Sequence, residues 1–391
     1  MNKNKQETPV HIRLWHREFW LMAFASLLLT MSVYILIPIM PRWLMEVENF
    51  TPEETGLSMG VFALGLYLLG AQCSWLVQHY RRNVVCMWAI FAVALDVALL
   101  WYIDSLRTEF VEFWIILLQR FALGAFFGLA QMVLSSTLII DTCESSQRTE
   151  ANQSATWFSR LALAVGPMVG LGVYEWLGFH WVVWVAAGCA VLTVLLVKAV
   201  DFPFRTPEDD LHVASLDRFF LTHGTVLYLH LMWICMVVGL LLSLPWDAVF
   251  YALMLGGFLL AVLVQHFLFP NAEMKSELVS GQLLLLAAVF VLMVSPDSAV
   301  PPVLVGLSVG VIASRFLLFF IKLSRHCQRG TSQSTYFLAW ETGLTLGIAI
   351  GYGLLYEQRE ILLFVASSLI VVSLLVYHLF THSWFMNNKN R

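Results

Sequence analysis

QRTEANQSATWFSRLALAVGPMVG, Gln147 to Gly170, returns further along the chain as QRGTSQSTYFLAWETGLTLGIAIG, Gln328 to Gly351. The offset is 328 − 147 = 181 residues, close to half of the 391-residue chain. Under it Gln147 meets Gln328, Arg148 meets Arg329, Gly166 meets Gly347 and Gly170 meets Gly351. Each copy runs from a charged loop into an apolar helix with glycines four residues apart. Two further pairs keep nearly the same offset. Leu76-Val77-Gln78-His79-Tyr80 returns as Leu263-Val264-Gln265-His266-Phe267, and Gly124 and Gly128 return as Gly306 and Gly310. Three matches in order indicate a duplicated unit, the pattern of membrane proteins built from internal repeats.

Composition fixes the class of that unit. Hydrophobic residues make up 59% of the chain, charged residues only 12%, and the mean hydropathy is +0.77. Soluble domains carry about twice that charge. A bilayer-crossing helix needs about 20 apolar residues. That rule predicts twelve spans, at 18–40, 54–77, 84–103, 112–137, 153–174, 181–200, 224–244, 248–269, 277–295, 299–321, 334–355 and 361–380. The expected fold is therefore an all-α membrane protein, with twelve transmembrane helices in two pseudo-symmetric six-helix bundles. Residues 1–17 form an N-terminal segment, 18–200 the first bundle, 201–223 a linker, 224–380 the second bundle and 381–391 a tail. The first apolar run is too long for a signal-peptide core and reads as a retained helix.

Orientation follows from lysine and arginine. Twelve crossings place both termini on one side, and that side collects almost all the basic residues, among them Arg81, Arg82, Arg148, Lys275, Arg325 and Arg329. The other side holds Arg42, Arg107 and Arg359. The positive-inside rule puts the termini in the cytosol of a multi-pass protein of the bacterial inner membrane. The linker, with Pro203, Pro207, Glu208, Asp209, Asp210 and Asp217, is then cytosolic. The net charge of −4 offers nothing to nucleic acid. The six cysteines form no CxxC pair and read as packing thiols.

Three local patterns sharpen the picture. In the fourth span, Leu117-Leu118-Gln119-Arg120-Phe121-Ala122-Leu123-Gly124 carries Arg-x-x-x-Gly. In the fifth, Ala162 precedes Gly166-Pro167-Met168-Val169-Gly170. After the second comes Gln78-His79-Tyr80-Arg81-Arg82-Asn83. With twelve spans and a duplicated half, the chain resembles the major facilitator superfamily of secondary transporters over about residues 18 to 380. The first pattern is similar to that family's buried-arginine motif, and the second to the glycine-proline motif of its proton-coupled exporters. The third departs from the family's Asp-Arg-x-Gly-Arg-Arg gating loop, since Gln78 stands at the aspartate. The resemblance implies alternating access by rocking of the halves, proton coupling and export, with a monomer as the usual state.

The charges set away from the ends of the spans are Asp96, Arg120, Arg160, Arg315 and Glu341. Each costs roughly 2.5–3.5 kcal/mol at mid-bilayer, so each must face protein or a watery cavity. They are the candidates for transport and proton coupling. Depth along the helices predicts that Asp96 pairs with Arg120 and Arg315 with Glu341. Arg160 finds no partner in its own half. Glu341 occupies its equivalent position, 341 − 160 = 181. Arg160 is expected either to attract a substrate anion or mobile carboxylate, or to snorkel to the membrane surface. Together Arg120, Arg160 and Arg315 favour an anionic substrate unless pairing cancels them. Tyr34, Gln131, His230 and Trp340 are the candidates for lining the substrate cavity, against the ordinary reading of interhelical hydrogen-bond partners. Gly166, Pro167 and Gly170 are the candidate hinge and seal, because proline bends a helix and spaced glycines admit a close neighbour. Trp15, Trp20, Trp43, Trp101, Trp114 and Trp181 near span ends read as interfacial anchors.

Enzyme signatures are thin. His212-x-x-x-x-Asp217 matches an acyltransferase spacing but stands alone. No phosphate-binding GxxxxGK[ST] loop, HExxH or clustered His/Cys set is present, so neither ATP, a metal nor another cofactor is implied. The expected function is proton-coupled antiport of a small organic solute. Symport of a sugar, peptide or organic anion is the alternative within the class. A non-transporting sensor or scaffold, or a membrane-embedded transferase, is the alternative outside it.

Overall fold

The computed structural model describes residues 14–106, 113–139, 142–143, 147–200, 202, 212–268 and 273–390. The basic residues up to Arg13, Arg107, the acidic run Glu208 to Asp210 with Pro203 and Pro207, and Arg391 lie outside them. The described residues are helical and contain no strand. Twelve spans run in order. They are α1 (Arg17–Glu46), α2 (Pro52–Leu68 continued by Cys73–His79), α3 (Arg82–Ser105), α4 (Phe113–Leu138), α5 (Arg148–Leu177) and α6 (Phe179–Lys198), then α7 (Thr222–Leu242), α8 (Ala248–Phe267), α9 (Met274–Val294), α10 (Val300–Leu323), α11 (Arg329–Leu354) and α12 (Arg359–Asn388).

The repeat seen in sequence is a repeat of packing. In the first six helices α1 packs on α5 and α6, α2 on α4, and α3 on α4 and α6. In the second six α7 packs on α11 and α12, α8 on α10, and α9 on α10 and α12. Adding six to each number of the first list yields the second. The duplicated glycines do the same work in both. A Cβ on Gly124 or Gly128 would strike the α2 backbone, and one on Gly306 would strike α8. One on Gly166 would lie 3.1 Å from the Tyr34 side chain in α1, and one on Gly347 would strike Met236 in α7. Small residues let these backbones approach where there is no water to drive association. Between the halves α2 lies on α11 and α5 on α8, again a symmetric exchange.

Four elements differ from the sequence reading. The second span is broken, with its two pieces bent by 50°. The Phe219 ring from the linker fills the space that the missing side chain of Gly70 leaves at the break. The first span does not stop at 40: it loosens over residues 35–38, where Leu36 and Ile37 bond three residues back, and then resumes to Glu46. Pro38 has no N–H to continue the regular ladder. The last helix continues through a π-helical turn, Tyr377–Thr381, to Asn388. Residues 381–390 of the expected tail are therefore largely helical and are tied back to the second bundle, where Asn390 N donates to Lys322 O at 3.0 Å. Trp43 is not a lipid-facing anchor, since it is fully buried, stacks on Phe179 at 4.6 Å and donates to Asp104 at 2.9 Å.

The side carrying the termini is closed. Gln153 in α5 donates to Ser314 in α10 at 2.8 Å, and Gln333 in α11 donates to Thr156 in α5 at 3.1 Å. The described end of the linker packs on the same face, where Asp217 accepts from Ser74 at 3.3 Å and from Thr331 at 3.1 Å. On the opposite side the ends of α1, α5, α7 and α11 enclose a vestibule of about 680 Å³.

Candidate functional site

The repeated stretch with which the sequence reading began supplies the centre of the molecule. Helices α5 and α11 are among the least apolar spans and carry polar residues at helical spacing. These are Asn152, Thr156, Ser159 and Arg160 in α5, and Gln333, Tyr336, Trp340 and Glu341 in α11. Residues three and four apart share one helix face. Both faces turn inward, and all eight side chains are nearly or fully buried.

There Arg160 meets Glu341. Its Nη1 lies 2.8 Å from Glu341 Oε1, joining equivalent positions of the two halves, and both residues are at most 2% exposed. Tyr34 of α1 donates to the same oxygen at 2.7 Å. The guanidinium sits over the Trp340 ring at 4.4 Å and over Tyr336 at 5.5 Å. Two aromatic faces, a carboxylate and a phenol thus hold one cation in dry protein, where a lone charge would be costly. The loosened turn of α1 lies beside them, with Gly170 packed on Ile35.

Two small cavities of about 20 Å³, each room for about one water, flank the pair. The one toward the termini is lined by Gln131, Ser159, Arg160 and Gln333. Gln131 donates to Thr30 at 2.6 Å, and Thr30 bonds Ser159 at 3.0 Å, so a polar chain reaches the cavity that Ser159 and Arg160 line together. The other is lined by Tyr34, Met59, Phe62, Arg120 and Glu341.

The structure gathers Tyr34, Arg120, Gln131, Arg160, Trp340 and Glu341 around one seam and leaves three candidates elsewhere. Asp96 does not pair with Arg120, because its Oδ2 accepts from Gln119 at 2.7 Å. Gln119 precedes Arg120 in sequence, and the helix turn directs the amide toward α3 and the arginine toward α2. Arg315 does not pair with Glu341; it is bonded to Glu277 of α9, inside the second half. His230 sits within the second half against Phe316, bonded to Ser373 at 3.4 Å and Thr381 at 3.2 Å. It lines neither the vestibule nor the seam cavities. Pro167 lies inside an unbroken helix that packs along α1. Sequence reasoning passed over Tyr336, Gln333, Asn152, Thr156, Ser159, Thr30, Met59 and Phe62. The polar stripes on α5 and α11 carried the signal for the first five.

Comparison with solved structures agrees with this architecture. The human organic anion transporter MFSD10 (TETRAN) superposes with a TM-score of 0.65 at 13% identity, covering 92% of this chain and 98% of that one. A bacterial homologue of the iron transporter ferroportin, in an outward-facing state, gives 0.63 at 13% identity, with 94% and 99% covered. The nucleoside transporter NupG, in a point-mutant form, gives 0.65 at 12%, with 92% and 99% covered. None of the curated proteins compared matches in sequence. The family model described as Major Facilitator Superfamily matches residues 22–233, more than half of the chain. With twelve spans, two like halves and a buried polar seam between them, the chain belongs to the major facilitator superfamily and is a multi-pass membrane transporter.

Proposed function

We propose that this transporter is a proton-coupled antiporter that exports a small organic solute across a bacterial inner membrane, with both termini cytosolic and the monomer as the working unit. The observation that carries the reading is the Arg160–Glu341 pair with Tyr34, a buried charge contact made between the two halves. Rocking that parts the halves near α5 and α11 separates Arg160 from Glu341. A carboxylate left without its cation in so dry a place is tolerable once it takes a proton. Proton uptake at Glu341 would then accompany one step of the cycle. The polar chain through Gln131, Thr30 and Ser159 supports a proton route from the terminal side. The closed terminal side and the vestibule opposite support an outward-facing arrangement.

The three structural neighbours are described as transporters of organic anions, iron and nucleosides. Their shared fold therefore leaves the solute to the residues of the seam. The deciding experiment is flux in proteoliposomes under an imposed pH gradient. The expected result is solute efflux driven by inward protons, lost in Glu341→Gln. Flux that ignores the gradient in the unaltered protein would remove the proton, and a gradient driving solute and protons the same way would make it a symporter.

A further inference from the structure

Three of the arginines within the spans have carboxylate partners. Arg160 is held by Glu341 and Arg315 by Glu277. Arg42 is held by Glu46 at 3.0 Å. Arg120 differs. It is 4% exposed, its Nε and Nη1 have no acceptor, and Nη2 reaches only the thioether of Met59 at 3.6 Å. Its guanidinium lies 5.5 Å from the Phe62 ring centre. It lines a seam cavity together with Glu341, but Glu341 Oε1 is already shared by Arg160 and Tyr34. Asp96 spends its Oδ2 on Gln119 and makes no ion pair with Arg120.

We propose that Arg120 is the anion subsite of the transport path, taking the carboxylate of a substrate whose remaining body is apolar. The groups lining the two seam cavities, Arg120, Arg160 and Glu341, sum to +1, and Asp96 acts on Arg120 only through space, without a contact to its N–H groups, so those donors remain open to a negative group. A guanidinium with free N–H groups offers a carboxylate a planar, paired set of donors. Apart from Arg120 and Glu341 the cavity lining is mostly hydrocarbon, from Val33, Ile37, Met59, Phe62, Leu344 and Ile348, with Tyr34 and Thr345 as its other polar members, which suits an apolar body better than a sugar. The cavity's room of about 20 Å³ is that of about one water, so a single carboxylate oxygen enters it as it stands and the flexible Met59 thioether must move aside for the rest of the headgroup. The larger vestibule begins at Gly351, three residues beyond Ile348, or about 4.5 Å along the helix. The vestibule carries four carboxylates of its own, and no ion pair joins any of them to Arg120: Glu46 is held by Arg42, Asp247 caps the α8 backbone at Phe250 N, 2.9 Å away, and Glu175 and Glu357 lie on the vestibule wall.

This inference rests on the transport reading for its setting, but its test is a binding measurement. The full chain in detergent is titrated calorimetrically with naphthalene-1-carboxylate and with its neutral isostere, naphthalene-1-carboxamide. The carboxylate is expected to bind about tenfold more tightly or better, with the preference lost in Arg120→Gln and partly kept in Arg120→Lys. Equal affinities in the unaltered protein, or a preference that survives Arg120→Gln, overturn the subsite. Should Arg120→Gln fail to fold, Met59→Cys with Cys327→Ser leaves Arg120 in place. A sulfonate-bearing thiosulfonate reagent should then modify the introduced thiol about tenfold faster than a trimethylammonium one, and an equal or reversed ratio overturns the proposal. A protein that prefers the carboxylate yet moves nothing across liposomes keeps the subsite and loses the transport reading. One that pumps cations or neutral solutes with no such preference does the reverse.

Discussion

Replacing Glu341 by Gln leaves the Arg160 guanidinium in the seam without its counter-charge. At 2.8 Å the pair is worth about 6 kcal/mol of Coulomb energy at an effective dielectric constant of about 20, before desolvation is charged against it. Desolvation offsets much of that, but only while both charges are present. Removing one partner of such a pair costs about 3–5 kcal/mol. With an unfolding entropy of about 2.1 cal/mol/K per residue over 391 residues, that is a fall of about 4–6 °C in melting temperature. Arg160→Met should cost a similar amount by stranding the carboxylate. The double variant Arg160→Met with Glu341→Leu removes both charges and fills the space with hydrocarbon, so its melting temperature should return to within about 2 °C of the parent. The cycle is read from tryptophan-fluorescence melts of the four proteins in one detergent. Single losses that simply add in the double variant would mean the two groups do not share an energy, and the seam would then need another explanation.

The glycines give a matched contrast in one helix. A Cβ on Gly170 would lie 2.5 Å from Ile35 O, whereas one on Gly172 meets nothing within 4 Å. Gly170→Ala should therefore cost about 1–3 kcal/mol in the same melts, and Gly172→Ala should be neutral or gain slightly in stability; equal effects would refute the close α1–α5 approach. His230→Ala strips a buried ring from Phe316, Ser373 and Thr381. It should lower the melting temperature while leaving ligand affinity within about twofold, and a large loss of affinity would return His230 to the transport path. Gln153→Cys with Ser314→Cys places two thiols where a 2.8 Å hydrogen bond now bridges the halves. Oxidation should stop flux and reduction restore it, and undiminished flux through the oxidised protein would show that this face need not open.

The twelve spans and their duplication were legible because both rest on composition and offset, which one sequence displays directly. The breaks were not. Residues 35–38 and 69–72 are nearly as apolar as their surroundings, and only Pro38 and Gly70 hinted at them. Partners of the buried charges were harder still. Depth along a helix is a one-dimensional coordinate, and pairing depends on azimuth as well. Asp96 and Arg120 share a depth, yet Gln119, one residue and about 100° away on the helix, is the one that faces Asp96. Arg315 and Glu341 failed for the same reason, since α10 turns Arg315 toward Glu277. The 181-residue offset was the better guide, because symmetry carries azimuth with it. It had placed Arg160 and Glu341 at equivalent positions before any contact was known.

A duplicated helix pair around a twofold axis would ordinarily set like against like at the seam. Two arginines there would repel, and two glutamates would repel or share a proton. Opposite charges at the two equivalent positions turn the axis into a strap between the halves. Such a strap favours whichever arrangement keeps α5 and α11 together, and here that arrangement has the terminal side closed by Gln153–Ser314 and Gln333–Thr156. The opposite side can open into its vestibule without disturbing the pair, because that cavity begins at Leu171 and Gly351, about ten residues beyond the charges on each helix. Opening the terminal side has no such freedom. It must leave two charges apart in a place with little water, unless each finds a substitute: a proton for the carboxylate, and an anion or solvent for the guanidinium. The proton coupling proposed above would then need no separate gate, since the contact that ties the halves is the one a ligand or a proton must replace.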